Sequence, residues 1–227
     1  MNIVAIIPAR KGSKTIKDKN IINYKGKPLI YYSIKTALKS KLIDKVIVST
    51  DSKKYQSLSI KFGASAPFLR PKNYSRDNST DNDYILHASK FLISKNYYPD
   101  LIILLRPTTP NREVKIINKG IKLFIKNFKK YDSMRSVSKF NQPPQKLFTI
   151  KNKALKGFFD KELKGEYHSY PRQKYNKTYL PNGYIDILKP SFFLNNKNKF
   201  WGKMQPFLTN ETLDIDTRSD LKDKNKI

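Results

Sequence analysis

Residues 1–8 read MNIVAIIP and residues 9–20 read ARKGSKTIKDKN. A nearly unbroken Ile/Val/Ala run of this length is a strand buried on both faces, because a half-exposed strand would alternate with polar residues. The polar stretch behind it, with Gly12 and Ser13, is a loop. The same unit recurs along the chain. DKVIVS (44–49) is a second buried strand and DLIILL (100–105) the most apolar one. Further strands are expected at Ala66–Leu69, Asp132–Val137 and Gly183–Leu188.

Helical patterns fill the intervals. Pro28 opens one that runs to about Lys39, with Leu29, Ile30, Ile34, Ala37 and Leu38 on one face. Thr50-Asp51-Ser52 offers an N-cap for a second, through Phe62. Thr80–Lys95 and Arg112–Phe128 give two more. Strands alternating with helices predict an α/β fold, a Rossmann-like, mostly parallel sheet sandwiched by helices. The whole chain, 1–227, reads as one domain. Pro143, Pro144, Pro171 and Pro181, with several Tyr, break the rhythm over 141–182, which is expected to protrude as a hairpin-and-loop lobe.

The composition excludes several classes. The chain has 227 residues, no cysteine, a mean hydropathy of −0.63 and a formal net charge of +28 from 46 Lys plus Arg against 18 Asp plus Glu. Without cysteine there is neither a disulfide framework nor a thiolate zinc site. No apolar run reaches the length of a membrane span, and the first residues are too briefly apolar for a signal peptide, so a cytoplasmic protein is expected. The charge suggests nucleic acid, but 38 of the 46 basic residues are Lys, spread from Lys11 to Lys226. Arg makes most bidentate base and phosphate contacts, so a nucleic-acid partner is not expected. Five of the eight arginines, Arg10, Arg70, Arg106, Arg112 and Arg172, fall in or beside loop motifs.

In an open parallel sheet the ligand crevice lies beyond the carboxyl ends of the strands. The loop 9–20 belongs to that edge. Its Gly12, Ser13, Arg10, Lys14 and Lys19 suit a polyphosphate, and it reads equally as a solvated basic turn; it is neither G-x-x-x-x-G-K-[ST] nor G-x-G-x-x-G. In LDIDTRSD (213–220), Asp214 and Asp216 stand two apart, which on extended chain puts both carboxylates on one face. Such a pair suits Mg²⁺, and Asp216 or Thr217 also reads as an N-cap. His87, His168 and Trp201 have no partner at a ligand spacing and read as structural.

Five segments resemble the acylneuraminate cytidylyltransferase family, the CMP-sialic acid or CMP-nonulosonate synthetases. They are IIPARKGSKTIKDKNIINYKGKPLIYYSIKTALKSKLIDKVIVSTDS (6–52), FGASAPFLRPKNYSRDNSTDNDYILHA (62–88), LLRPTTPNR (104–112), PRQKYNKTYLPNGYIDI (171–187) and LDIDTRSDL (213–221). They occur in family order over nearly the whole chain. The resemblance implies that Arg10, Ser13, Lys19 and Asn20 hold the phosphates and part of the nucleotide of CTP. It implies that Arg70, Asp77, Thr80 and Asp81 contact CTP and its base, and that Asp214 and Asp216 bind Mg²⁺. Arg172 and Asn182 match positions near the sugar-acid pocket. Through the lobe the family forms dimers, so a homodimer is implied.

Two segments depart from the family pattern. Many sialic acid enzymes have LLQPTSPLR where this chain has LLRPTTPNR, so Arg106, followed by Thr108, replaces a Gln that meets the sugar. The family's R-P-N-G-A-I-Y is Leu180-Pro181-Asn182-Gly183-Tyr184-Ile185-Asp186 here, which adds a bulky Tyr184. The nucleotide half is kept and the sugar half altered, which favours a legionaminic- or pseudaminic-type acid over N-acetylneuraminate.

The implied reaction transfers CMP from CTP to the anomeric hydroxyl of a nonulosonic acid and releases pyrophosphate. Arg10 and Lys19 would neutralise charge on the leaving group, and Asp216 is the candidate acceptor of the hydroxyl proton. Arg106 suits the sugar's carboxylate as a bidentate partner and equally a solvated strand end. A Kdo-type or other sugar nucleotidyltransferase is the nearest alternative, and a non-catalytic RNA- or anion-binding protein the more distant one.

Overall fold

The computed structural model describes residues 1–196 and 199–221. β1 (Ile3–Pro8) leads through the loop 9–20 to a two-stranded turn, β2 (Asn23–Tyr24) and β3 (Lys27–Pro28), and then α1 (Leu29–Lys39). β4 (Lys45–Ser49), α2 (Lys53–Lys61), α3 (Asp81–Ser94), β5 (Leu101–Leu104) and α4 (Val114–Lys126) follow. β6 (Ser133–Phe140) precedes the hairpin β7 (Phe148–Lys151) and β8 (Ala154–Gly157). β9 (Thr178–Leu188), a one-turn α5 (Pro190–Phe193) and β10 (Met204–Leu208) complete the chain.

The main sheet has the order β10-β6-β9-β5-β1-β4. β1 pairs parallel with β4 and β5, and β10 parallel with β6. β9 is antiparallel to both its neighbours. β1 shows why its sequence does not alternate. Ile3, Ala5 and Ile7 pack towards Ile30, Ile34, Tyr55, Ile121 and Phe124, and Val4 and Ile6 pack towards Tyr84, Ile85, Ala88 and Leu92. Successive side chains point to opposite faces, and here both faces are covered by helices.

Three local expectations change. Residues 66–69 form no strand of the sheet; only the isolated bridges Ile47–Ser65 and Thr50–Leu69 remain. Pro67 has no N–H to donate, and Pro71 ends the extended stretch. β9 starts at Thr178, inside the stretch expected as lobe, and pairs with β6 through a register shift between Arg135 and Val137. β10 was not expected at all. Pro206 lies within it, which is tolerated because the strand is at the sheet's edge.

Candidate active site

β1, β4 and β5 run parallel, so their carboxyl ends share one edge, and the loops from that edge surround a cleft of about 710 Å³. Loop 9–20 is built onto the edge from beneath. Ala9 N–H donates to Ser49 O (2.9 Å), Lys11 N–H to Asp51 Oδ1 (2.8 Å), and Asn20 Nδ2 to Arg10 O (2.9 Å). Asp51 thus ties the loop rather than capping α2, a cap supplied by the Ser52 hydroxyl. Ile16 is buried with Tyr24, Leu29, Leu213 and Ile215, which joins the loop to the chain's last segment.

That last segment presents the acid pair. Leu213 and Ile215 are buried while Asp214 and Asp216 are exposed and line the cleft, as a two-residue spacing on extended chain requires. Ile215 N–H donates to Thr108 O (2.8 Å), which docks the segment on the loop after β5. Asp220 Oδ2 accepts from the N–H of Asp216 and Thr217 and from the Thr217 hydroxyl, as the acid of a capping box does for its cap residue, and the described residues that follow form a turn. Lys19 Nζ lies 2.7 Å from Asp216 Oδ1.

The other cations are also paired. Arg10 Nη1 reaches Asp77 Oδ1 (3.0 Å) and Lys14 Nζ reaches Asp77 Oδ2 (3.1 Å). These two hydrogen-bonded cations, Arg10 first, hold the Asp77 carboxyl below its ordinary range. Arg70 is buried, donates to Ser49 Oγ (3.1 Å) and Ser49 O (2.6 Å), and lies 5.0 Å from the Tyr84 ring centre. Burial lowers its pKa, with partial compensation from Tyr84 and Asp51. Thr80 precedes α3, and its N–H donates to Asp83 Oδ2 (2.7 Å), which leaves Asp81 facing the cleft.

Arg106, at the end of β5, donates from Nη1 to Asp186 Oδ2 (2.8 Å) and from Nη2 to Asp81 Oδ2 (2.5 Å). Burial disfavours its charge, but Tyr84, Asp186 and Asp81 outweigh burial and raise its pKa. Arg106 is therefore no solvated strand end. Asp186, only 2% exposed, also faces Arg135 Nε at 3.4 Å. Arg112 from the same loop is wholly interior and donates to the carbonyls of Tyr184, Thr109, Arg106 and Gly183 and to Ser33 Oγ.

The cleft gathers Arg10, Ser13, Lys19, Asn20, Arg70, Asp77, Thr80, Asp81, Arg106, Thr108, Asp214 and Asp216. Lys14, expected with loop 9–20, lines it too, and Thr15, Ser79 and Tyr84 are added. Tyr84 had a signal in the sequence: it follows Asp81 by three residues and shares its helix face. Five cationic and four acidic side chains line the cleft, so the net +28 is not concentrated there.

Arg172, Asn182 and Tyr184, expected beside the sugar pocket, do not line the cleft. Gly183 adopts φ +66°, and a Cβ there would stand 3.1 Å from Thr109 Oγ1, so the chain turns at a position that only glycine fills easily. Tyr184 consequently points to α4, where its hydroxyl accepts from Glu113 N–H (2.6 Å). Asn182 Nδ2 is committed to Thr209 Oγ1 (2.6 Å) and Asn210 O (3.2 Å). Arg172 lines a separate groove with Lys139, Phe140 and Thr178.

Comparison with known proteins agrees with this arrangement. Residues 4–169 match the family model described as Cytidylyltransferase. The chain is 34% identical over 220 residues to the N-acylneuraminate cytidylyltransferase of Escherichia coli O18:K1:H7, covering 96% of this chain and 50% of that one. The chain thus spans about half the length of this relative. It is 32% identical to a pseudaminic acid cytidylyltransferase of Campylobacter jejuni, covering 97% and 94%. It is 33% identical to the CMP-N,N'-diacetyllegionaminic acid synthase of Legionella pneumophila, covering 97% and 93%. Among solved structures, a CMP:2-keto-3-deoxy-manno-octonic acid synthetase complexed with CTP superposes with a TM-score of 0.71 at 16% identity, covering 98% and 96%. That likeness shows the α/β fold. With loop, acid pair and motif order in place, the chain belongs to the cytidylyltransferase family, in the acylneuraminate branch that its segments resemble.

Proposed function

We propose that this chain, as a single cytidylyltransferase domain, transfers CMP from CTP to the anomeric hydroxyl of a nonulosonic acid and releases pyrophosphate. The observation that carries the reading is the cleft at the carboxyl edge of the sheet. It sets the cations of loop 9–20 against the Asp214/Asp216 pair, in a chain whose relatives are named for this reaction on three nonulosonic acids.

In the reaction the anomeric oxygen attacks the α-phosphorus and the bond to pyrophosphate breaks. Arg10, Lys14 and Lys19 exchange their present carboxylate partners for phosphate oxygens, and so neutralise charge on the leaving group without reorganising the loop. Asn20 and Asp51 keep that loop in place. Lys19 leaves Asp216 Oδ1 as it moves to phosphate, which frees that one oxygen to take the hydroxyl proton while the other stays available to the metal.

The residues fit Mg²⁺. Asp214 and Asp216, both exposed and both lining the cleft, are the two carboxylates offered to an ion there. Two hard oxygen donors, with phosphate and water completing the shell, is the set Mg²⁺ uses with nucleotides. Asp214 and Asp216 would hold the ion, which supplies charge neutralisation at the phosphates when bound.

We take the acceptor to be a legionaminic- or pseudaminic-type acid, because Arg106, which lines the cleft, and its partner Asp186 differ from the sialic acid pattern. A homodimer through the lobe is part of the reading, supported by Phe148, Ile150 and Leu155, which leave an apolar face of the β7–β8 hairpin exposed. Arg172 would then serve a neighbouring subunit's cleft. No helix among the described residues is long and apolar enough to cross a membrane, and a cytoplasmic location is part of the reading.

The test is pyrophosphate release with CTP and Mg²⁺ across a panel of nonulosonic acids, with Kdo as the shorter competitor. Turnover with a nonulosonic acid and little with Kdo is expected. Turnover with Kdo alone, or RNA affinity with no release from any acid, overturns the reading.

A further inference from the structure

Positions 106 and 186 each depart from the family pattern, Gln to Arg in one segment and Tyr to Asp in another. They lie 80 residues apart in sequence, and the fold puts them in contact at 2.8 Å. The contact exists because β9 inserts antiparallel beside β5 and places Asp186 opposite Leu104, two residues before Arg106. The two departures therefore meet, as an ion pair, in the fold.

We propose that the Arg106–Asp186 pair sets acceptor specificity. Asp186 is a positioning residue that, with Asp81, fixes the Arg106 guanidinium at the cleft wall. Arg106 there donates to a neutral oxygen of the sugar acid, a hydroxyl or an N-acyl carbonyl, and not to its carboxylate. This rests on the nonulosonate reading above and narrows it.

The geometry supports each part. Asp186 is 2% exposed in the middle of the sheet, so its charge needs a partner, and Arg106 and Arg135 supply it. Arg135 is itself held, with its guanidinium carbon 3.7 Å from the Trp201 ring centre. The Arg106 side chain is 25% exposed and lines the cleft. Its fork is already divided, with one N–H of each Nη bound to a different carboxylate, so an end-on grip on a further carboxylate would compete with both. A third carboxylate would also approach Asp81, which lines the same cleft, and meet like-charge repulsion. A hydroxyl or acyl carbonyl meets none, and the N–H groups not bound to Asp186 or Asp81 can serve it.

The experiment compares wild type, Asp186→Asn, Arg106→Gln and the double variant by pyrophosphate release with the acid panel, by CTP binding in a calorimeter and by thermal midpoint. Each single variant is expected to raise the KM of the best acid about tenfold, the worth of one hydrogen bond. CTP affinity should stay within about twofold in Asp186→Asn, which leaves the Arg106–Asp81 contact in place. Acids that differ in their N-acyl or hydroxyl groups should change rank. The double variant should regain thermal stability over Asp186→Asn yet keep the raised KM. A double variant that regains the acid's KM together with stability would make the pair purely structural and overturn the proposal. A loss beyond about a thousandfold in Arg106→Gln alone would mark a carboxylate ion pair and also overturn it. A wild type that binds CTP but releases no pyrophosphate with any acid overturns the acceptor reading itself, and this inference with it.

Discussion

The acid pair is held at the cleft by apolar packing, so a change that touches no polar group should disable it. Ile215 is fully buried against Ile16, Tyr24, Leu29 and Leu213. Ile215→Ala removes three carbons from this cluster, at about 0.8 kcal/mol for each buried methylene, and leaves a cavity beside a short segment. A cost of about 3 kcal/mol follows. The same side chain separates Asp214 from Asp216, so loss of its anchor lets both carboxylates drift. A displacement near 1 Å at reacting groups costs up to about a hundredfold in rate. The assay pairs urea unfolding with pyrophosphate release, at a temperature where both proteins are folded. The reasoning predicts lower stability and a lower kcat together. Ile16→Ala, which opens the same cluster from loop 9–20, should do likewise, and the two changes should combine non-additively because they share partners. A cost below about 1 kcal/mol, or an unchanged kcat in a clearly destabilised variant, would refute the account.

Further outcomes follow from the ion pairs. Lys19→Ala should lower kcat by about 10²–10³ while the protein remains folded, as measured by steady-state pyrophosphate release and thermal midpoint; an unchanged kcat would exclude Lys19 from the leaving-group role. Asp77 has its pKa depressed by Arg10 and Lys14, so the link between the two loops is fully present above the ordinary carboxylate value of 3.8 and is lost as pH falls through the depressed one. Asp77→Asn should therefore flatten the acid limb of a plot of thermal midpoint against pH, and an acid limb identical to wild type would contradict this. Ile150, 79% exposed on β7, and Leu155, 68% exposed on β8, should lie in a dimer contact. Ile150→Glu with Leu155→Glu should yield monomers in sedimentation, whereas a wild type that sediments as a monomer would remove the lobe from the proposal.

Much of the fold was legible because burial on both faces leaves a local trace. The runs at 3–8, 45–49 and 101–104 are continuous in Ile, Val and Leu because helices cover both sides of the sheet. What failed was one-sided or interrupted. β10 buries only Gln205 and Phe207 and carries Pro206, so its sequence resembles a loop. Residues 66–69 have extended-chain composition, but Pro67 lacks an N–H and only the isolated bridge Thr50–Leu69 pairs them. The length of β9 was hidden by Pro181 and Asn182, which a register shift accommodates while Ser136 Oγ accepts from Ile185 N–H (2.9 Å).

For the site, position along the chain was more legible than role. Loop 9–20 and the alternation of 213–216 could be placed from local pattern, and both line the cleft. Partners across the sheet could not, since no local pattern specifies that β9 enters antiparallel between β5 and β6. The arginines show the consequence. Their scarcity against 38 lysines pointed to loops where a planar, many-donor cation is needed. Yet Arg10 binds a neighbouring loop, Arg112 ties five interior acceptors, and Arg106 bridges two acids. Arg70 lies under the cleft wall on Ser49. A lysine could replace the charge at any of these sites but not the geometry, because a single ammonium cannot span Asp81 and Asp186 at once in the directions the guanidinium fixes. If that is why these four survive in so lysine-rich a chain, Arg106→Lys should disturb the acid's KM nearly as much as Arg106→Gln. Retention of wild-type KM in Arg106→Lys would show that charge alone suffices there.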